Sequence, residues 1–106
     1  MSQKNNPLEL YICEKLNEIG IPARPTRGSG SGNEIADISN DRFYIECKIR
    51  ATESGIHLNR KVWNKLCAEV ANNMKTPFYA TENSYGERFI ILNAEDFFRL
   101  IKQGIE

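Results

Sequence analysis

The stretch Arg42-Phe43-Tyr44-Ile45-Glu46-Cys47-Lys48-Ile49 decides how the rest of the chain is read. In a strand, alternate residues share a face. Phe43, Ile45, Cys47 and Ile49 therefore make an apolar side, and Glu46 and Lys48 stand together on the other. Nine residues before Glu46, Asp37 lies in the short run Ile35-Ala36-Asp37-Ile38. If residues 34–38 and 42–50 are neighbouring strands joined through Ser39-Asn40-Asp41, the acids and the lysine gather on one surface. A two-residue turn at Asn40-Asp41 pairs Ser39 with Arg42 and sets Asp37 opposite Tyr44. Asp37 is then one diagonal step from Glu46, roughly 7 Å away. A slip of one residue would bury Asp37 among Ala36, Ile38, Phe43 and Ile45, so the apolar pattern selects the register that collects the acids.

The remaining elements follow outward. Asn6-Pro7 opens a first helix that Gly20 ends, with Leu8, Ile12, Leu16 and Ile19 as its inward stripe. Residues 21–26 are a short extended segment interrupted by Pro22 and Pro25, followed by the Ser-Gly loop from Arg27 to Asn33. A second helix is predicted from Asn59 to Lys75, with Val62, Leu66, Val70 and Met74 facing inward. Strands follow over Phe78–Glu82 and Arg88–Leu92, and Asn93 caps a last helix over Ala94–Gln103. The order αβββαββα describes an α/β chain with a central mixed β-sheet flanked by helices. With 106 residues and no internal repeat, it reads as a single domain over 1–106.

Composition narrows the function. Hydrophobic and charged fractions of 41% and 26% are those of an ordinary globular chain. No apolar run suffices to cross a membrane and the polar start Met1–Asn6 is unlike a secretory signal, so a cytoplasmic location is expected (nucleoid or phage-infected cell). Cys13, Cys47 and Cys67 have neither disulfide nor zinc spacing and are expected as buried thiols; the single His57 is structural or solvent-exposed. Net charge is zero, but residues 24–65 carry eight basic side chains against five acidic ones, and two of those five are Asp37 and Glu46. Acids that a cation would neutralise, set in a weakly basic surround, suit a phosphate substrate.

Two acids and a lysine on adjacent strands can serve metal-dependent phosphodiester hydrolysis, although Glu-x-Lys on a strand is also a common exposed ion pair. Mg²⁺ takes a few carboxylate oxygens and keeps several waters, which Asp37, Glu46 and the backbone carbonyl of Cys47 would accommodate. Lys48 would position or deprotonate the attacking water, or offset charge in the transition state. Glu9 extends the inward stripe of the first helix and also sits where a capping box with Asn6 would place it; both readings stand. Ser29 or Ser31, with Arg24 or Arg27, would hold a phosphate beside the metal, unless the loop is only a connector. Lys61 and Lys65 are backbone contacts or, somewhat better, a solvated face.

Together these features resemble the PD-(D/E)xK nuclease superfamily, and within it the small archaeal-type and phage Holliday junction resolvases. The resemblance runs from Glu9 to about Asn83. It rests on Glu9, Gly20, Ala23-Arg24 and the Ser-Gly loop, on Ala36-Asp37-Ile38 and Ile45-Glu46-Cys47-Lys48, and on Thr76-Pro77-Phe78-Tyr79-Ala80. Ala36 stands where the superfamily usually has proline. The resemblance implies a restriction-endonuclease-like fold and a Mg²⁺-dependent endodeoxyribonuclease, with Mn²⁺ able to substitute. It implies metal binding by Asp37 and Glu46 with Glu9 assisting, directly or through water, a catalytic Lys48, and Ser29 or Ser31 near the scissile phosphate. The implied partner is branched DNA cut symmetrically by a homodimer, with no small-molecule cofactor and no membrane. A repair or restriction nuclease acting on duplex or flapped DNA is the alternative, and a non-catalytic DNA-binding module on the same fold is the alternative of another class.

Overall fold

The computed structural model describes residues 7–26, 37–71 and 74–105. Eight elements follow in the expected order: α1 (Pro7–Glu18), β1 (Arg24–Pro25), β2 (Ile38–Ser39), β3 (Phe43–Ile49), α2 (Arg60–Ala71), β4 (Thr76–Glu82), β5 (Arg88–Ile91) and α3 (Ala94–Ile105). The strands form one sheet in the order β1-β2-β3-β4-β5. All neighbours are antiparallel except β3 and β4, which are parallel and joined through α2. A parallel pair needs such a crossover, because a tight turn only reverses the chain.

The alternation of β3 builds the two layers. Phe43, Ile45 and Cys47 pack with Leu8, Ile12 and Cys13 of α1, and with Ile38 and Ala80, into the larger core. Phe43 stacks on Phe78, ring centroids 4.7 Å apart. On the opposite face Tyr44 packs with Leu66 and Val70 of α2 and half-buried Trp63. Asn59 begins α2 by accepting the Val62 N–H at 3.0 Å through its side chain. Buried Asn83 ties the ends of β3 and β4 together: its Nδ2 donates to Ser54 O and Glu87 Oε1, and its Oδ1 accepts from the Tyr85 and Glu87 N–H groups.

The structure departs from expectation in five places. The β2–β3 register pairs Ile38 with Ile45 and Ser39 with Tyr44, two residues from the anticipated pairing. The turn is Asp41-Arg42, because Asn40 Oδ1 accepts both the Arg42 and Phe43 N–H groups at 2.8 Å and closes the hairpin one residue later. A shift of two keeps every side chain on its anticipated face. Of the strand expected over 34–38, only residue 38 is in β2, which continues to Ser39, and residues 34–36 lie outside the described part, as do Asn6 and the Arg27–Asn33 loop. The first helix ends at Glu18, leaving Ile19 exposed. The second ends at Ala71, and Met74 has a positive φ of 57° and is 93% exposed, so it joins no inward stripe. Cys13 and Cys47 are buried as expected, whereas Cys67 is half-buried. His57 is exposed.

Ile45, 1% exposed, supports the strand that carries Glu46. Ile45→Ala should cost about 2–5 kcal/mol, lost transfer energy plus a cavity. Urea unfolding would register this as a lower midpoint with an unchanged slope.

Candidate active site

Asp37 sits one residue before β2, held from two directions. Its backbone carbonyl accepts the Thr26 N–H at 2.8 Å and the Thr26 hydroxyl at 3.2 Å. Its carboxylate Oδ2 accepts the Cys47 N–H at 2.8 Å. Where the β2 backbone stops pairing, the Asp37 side chain thus takes the next donor of β3. Extending the observed register by one step sets Asp37 directly across from Glu46. In a strand a residue's N–H and C=O point to the same edge, so the Cys47 carbonyl also faces the Asp37 side.

Glu46 and Lys48 share a face, as their alternation requires, with Lys48 Nζ 3.5 Å from Glu46 Oε2. Glu46 is the better covered of the two. Burial raises its pKa, and the Asp37 carboxylate raises it further, while Lys48 and then Lys65 pull it down. Glu9 comes from α1 and is half-buried. Its pKa is pushed up to about 7 by burial, by Asp37 and by Glu46. Cys47 registers the same convergence. Its thiol is held well above the usual range by burial and by Asp37, Glu9 and Glu46. Three acids from a helix and two strands therefore crowd one end of the β2–β3 pair. Among the described residues they do not close into a ready-made cluster of three or more His, Cys, Asp or Glu ligands.

That donor set fits a hydrated divalent cation better than a fully protein-coordinated one. Mg²⁺ is commonly held by one or two carboxylates with waters completing its shell. Asp37, Glu46 and the Cys47 carbonyl would be its ligands, with Glu9 reaching it through water. The repulsion that raises the Glu9 and Glu46 pKa values is what such a cation would relieve.

The other anticipated residues divide. Lys65 is exposed on α2 and exerts a lowering pull on the Glu46 pKa. Lys61 is exposed. Arg24 lies exposed on β1 and, with Asn17, Ser39, Asn40 and Arg42, lines a cavity of about 480 Å³ at the hairpin end. None of Glu9, Asp37, Glu46 or Lys48 lines it. Arg27, Ser29 and Ser31 lie outside the described residues. Two residues were missed from sequence. Thr26 braces Asp37, a role visible only once β1 is seen to pair with β2. Tyr79 stands opposite Glu46 in the parallel register, fully buried, its hydroxyl without a hydrogen-bond partner among the described residues.

This architecture, a five-stranded mixed sheet with flanking helices, is an Hjc-like fold. The match is to the structure of Archaeoglobus fulgidus Hjc, a Holliday junction resolvase from an archaeal hyperthermophile. It has a TM-score of 0.64 and 21% sequence identity over 82% of this chain and 74% of that one. No protein-family model matches the sequence, and no curated protein is significantly similar to it. Among the described residues no helix is long and apolar enough to cross a membrane.

The raised Glu9 pKa has a definite sign in folding. A carboxyl with a folded pKa above its ordinary 4.5 binds its proton more tightly in the native state than in the unfolded chain. Its contribution is complete below about pH 4.5 and is lost as pH rises through about 7. Asp37→Asn removes one of the charges responsible and should flatten this decline. Urea midpoints measured from pH 4 to 8 on both proteins check it.

Proposed function

We propose that this chain is a Mg²⁺-dependent, structure-selective DNA endonuclease of the Holliday junction resolvase type, a single domain acting as a homodimer on branched DNA in the cytoplasm. The observation that carries the reading is the convergence of Asp37, Glu46 and Lys48 on one surface of a nuclease fold, with the acids' charges poorly offset by protein groups. When bound, the cation supplies Lewis-acid polarisation of the phosphoryl oxygen and neutralises developing charge; Mn²⁺ fits the same oxygen donors.

The protein's own part is positioning. Asp37 and Glu46 hold their carboxylates toward the reacting phosphate, Asp37 fixed by the Cys47 N–H. Lys48 Nζ donates to the attacking water or to a non-bridging phosphate oxygen, kept in place by Glu46 at 3.5 Å. Water attacks phosphorus in line and gives up a proton to bulk water. One P–O bond forms as the bond to the 3′ or 5′ oxygen breaks, and the leaving oxygen takes up a proton from bulk water. Glu9 steadies the hydration shell from the α1 side. Lys65 on α2 adds positive charge near Glu46, and Arg24, Arg27, Lys61 and Ser29 or Ser31 contact the DNA backbone.

Labelled four-way junction, duplex, flap and single-stranded DNA, each with Mg²⁺ or EDTA, test this. Symmetric nicks are expected on the junction alone and only with metal. Asp37→Asn and Glu46→Gln should each lower the rate at least about a hundredfold, some 2.7 kcal/mol of transition-state stabilisation. Both variants should retain junction binding in a gel shift. Independently of activity, Mg²⁺ at pH 7 should raise the melting temperature of the unaltered protein and not that of Asp37→Asn. Preferential cutting of plain duplex would replace the junction assignment, and undiminished cleavage by either variant would remove the site.

A further inference from the structure

Helix α3 is built inside out. Asp96, Arg99 and Leu100 turn toward the body of the protein. Arg99 donates to Thr76 Oγ1 at 2.8 Å and pairs with Asp96 at 3.0 Å, while Leu100 packs against the α1-side core. At about 100° per residue, Ala94, Phe98 and Ile101 fall on the opposite side of the axis. That outward side ought to be polar. Instead Phe98 is 66% exposed and Phe97 and Ile101 are each 44% exposed, the two rings meeting edge to face at 5.2 Å. No residue of the helix over 94–104 is buried. Twelve residues of helix have little stability in water unless an apolar face is covered, and here the larger apolar face points away from the domain.

We propose that this face is a self-association surface, on which a second copy of the chain lays its own α3 antiparallel across a two-fold axis. The spacing of Ala94, Phe98 and Ile101, four then three residues, is that of a coiled-coil seam. Charge selects the partner and its direction. Glu95 and Lys102 are seven residues apart, so both flank the same edge of the seam, and both are exposed. With the two-fold near Phe98 and Arg99, an antiparallel twin sets each Glu95 against the partner copy's Lys102. A parallel twin would set neither Glu95 nor Lys102 against an opposite charge. Antiparallel packing also sets each helix's positive end against the other's negative end.

Area is consistent with an interface centre. Phe97 and Phe98 at these exposures offer roughly 200 Å², and Ile101 enlarges the patch to a size that marks interaction sites on soluble proteins. A stable dimer needs about 800 Å² from each partner. The aromatic seam supplies the apolar centre of that area and the charged flank its rim. On the α1 face of the sheet, where Leu100 packs, Ile90 of the edge strand β5 is also exposed. The inference gives the homodimer of the proposed function its interface. Its evidence is α3 alone, and a dimer that ignores the α3 substitutions would overturn the interface and leave the nuclease site untouched.

Sedimentation velocity over a concentration series into the high micromolar range tests it without DNA or metal. The unaltered chain should sediment at twice its 12.1 kDa. Phe98→Glu and Ile101→Glu should each return the monomer mass with an unchanged circular dichroism spectrum. Lys102→Glu, a change confined to the surface, should weaken the dimer at least tenfold, and adding Glu95→Lys to it should restore the dimer. A monomer at the highest concentration overturns the proposal, as does a dimer indifferent to Phe98→Glu and Ile101→Glu. Failure of the double charge swap to restore what Lys102→Glu removes would overturn the antiparallel pairing.

Discussion

The Cys47 N–H points out of β3 toward a neighbour whose backbone has stopped pairing, and the Asp37 carboxylate meets it at 2.8 Å. Much else depends on that bond. β2 pairs over only two residues, too few to define a strand edge securely. The side-chain bond acts as a further rung, and Thr26 holds the same residue from β1. A carboxylate whose oxygen is committed to a backbone donor cannot swing away, so the same contact that finishes the sheet also presents Asp37 beside Glu46. Buried N–H groups demand a partner; here the partner is an acid, and structure and site share one interaction.

Crowding those acids has a cost that the protein partly offsets. Burial and mutual repulsion raise the pKa values of Glu9 and Glu46, and among the described residues Lys48 and Lys65 act on Glu46 in the other direction. A stability-optimised sheet end would carry fewer like charges. Strain of this kind gathers where a ligand is meant to relieve it. The buried Tyr79 hydroxyl, without a hydrogen-bond partner among the described residues, belongs to the residue opposite Glu46 in the parallel register.

Alternation in residues 42–49 carried most of the fold, because a strand with an apolar face admits only one parity. Parity survived even though the hairpin register did not. Asn40-Asp41 looked like the turn, but Asn40 turned out to be its cap, bonding two N–H groups ahead. That choice depends on a side-chain rotamer and not on composition. Helix periodicity located α1, α2 and α3 but not their ends: Ile19 and Met74 continue the apolar spacing past the point where the backbone turns. That exposed Lys65 acts electrostatically on Glu46 could not be read along one helix, because the two lie on different elements. The outward seam of α3 was hidden for the same reason. Spacing shows that an apolar stripe exists, while only packing shows which way it faces.

The charge balance of the site bears on the puzzle of a neutral chain proposed to act on DNA. Around Glu46 the near groups are Asp37, Glu46 and a Glu9 that is about half ionised at neutral pH, against Lys48 and Lys65. Among the described residues that sum is slightly negative, so under the proposed function a phosphodiester approaching without a cation gains no attraction there. Two positive charges from a divalent cation would reverse the sign. Engagement of the scissile phosphate would then be conditional on the metal, whereas a strongly basic surface would attract nucleic acid whether or not the site was ready. A neutral chain with compensated acids would thus leave junction binding to basic groups away from the acids and make only the cutting point depend on the cation.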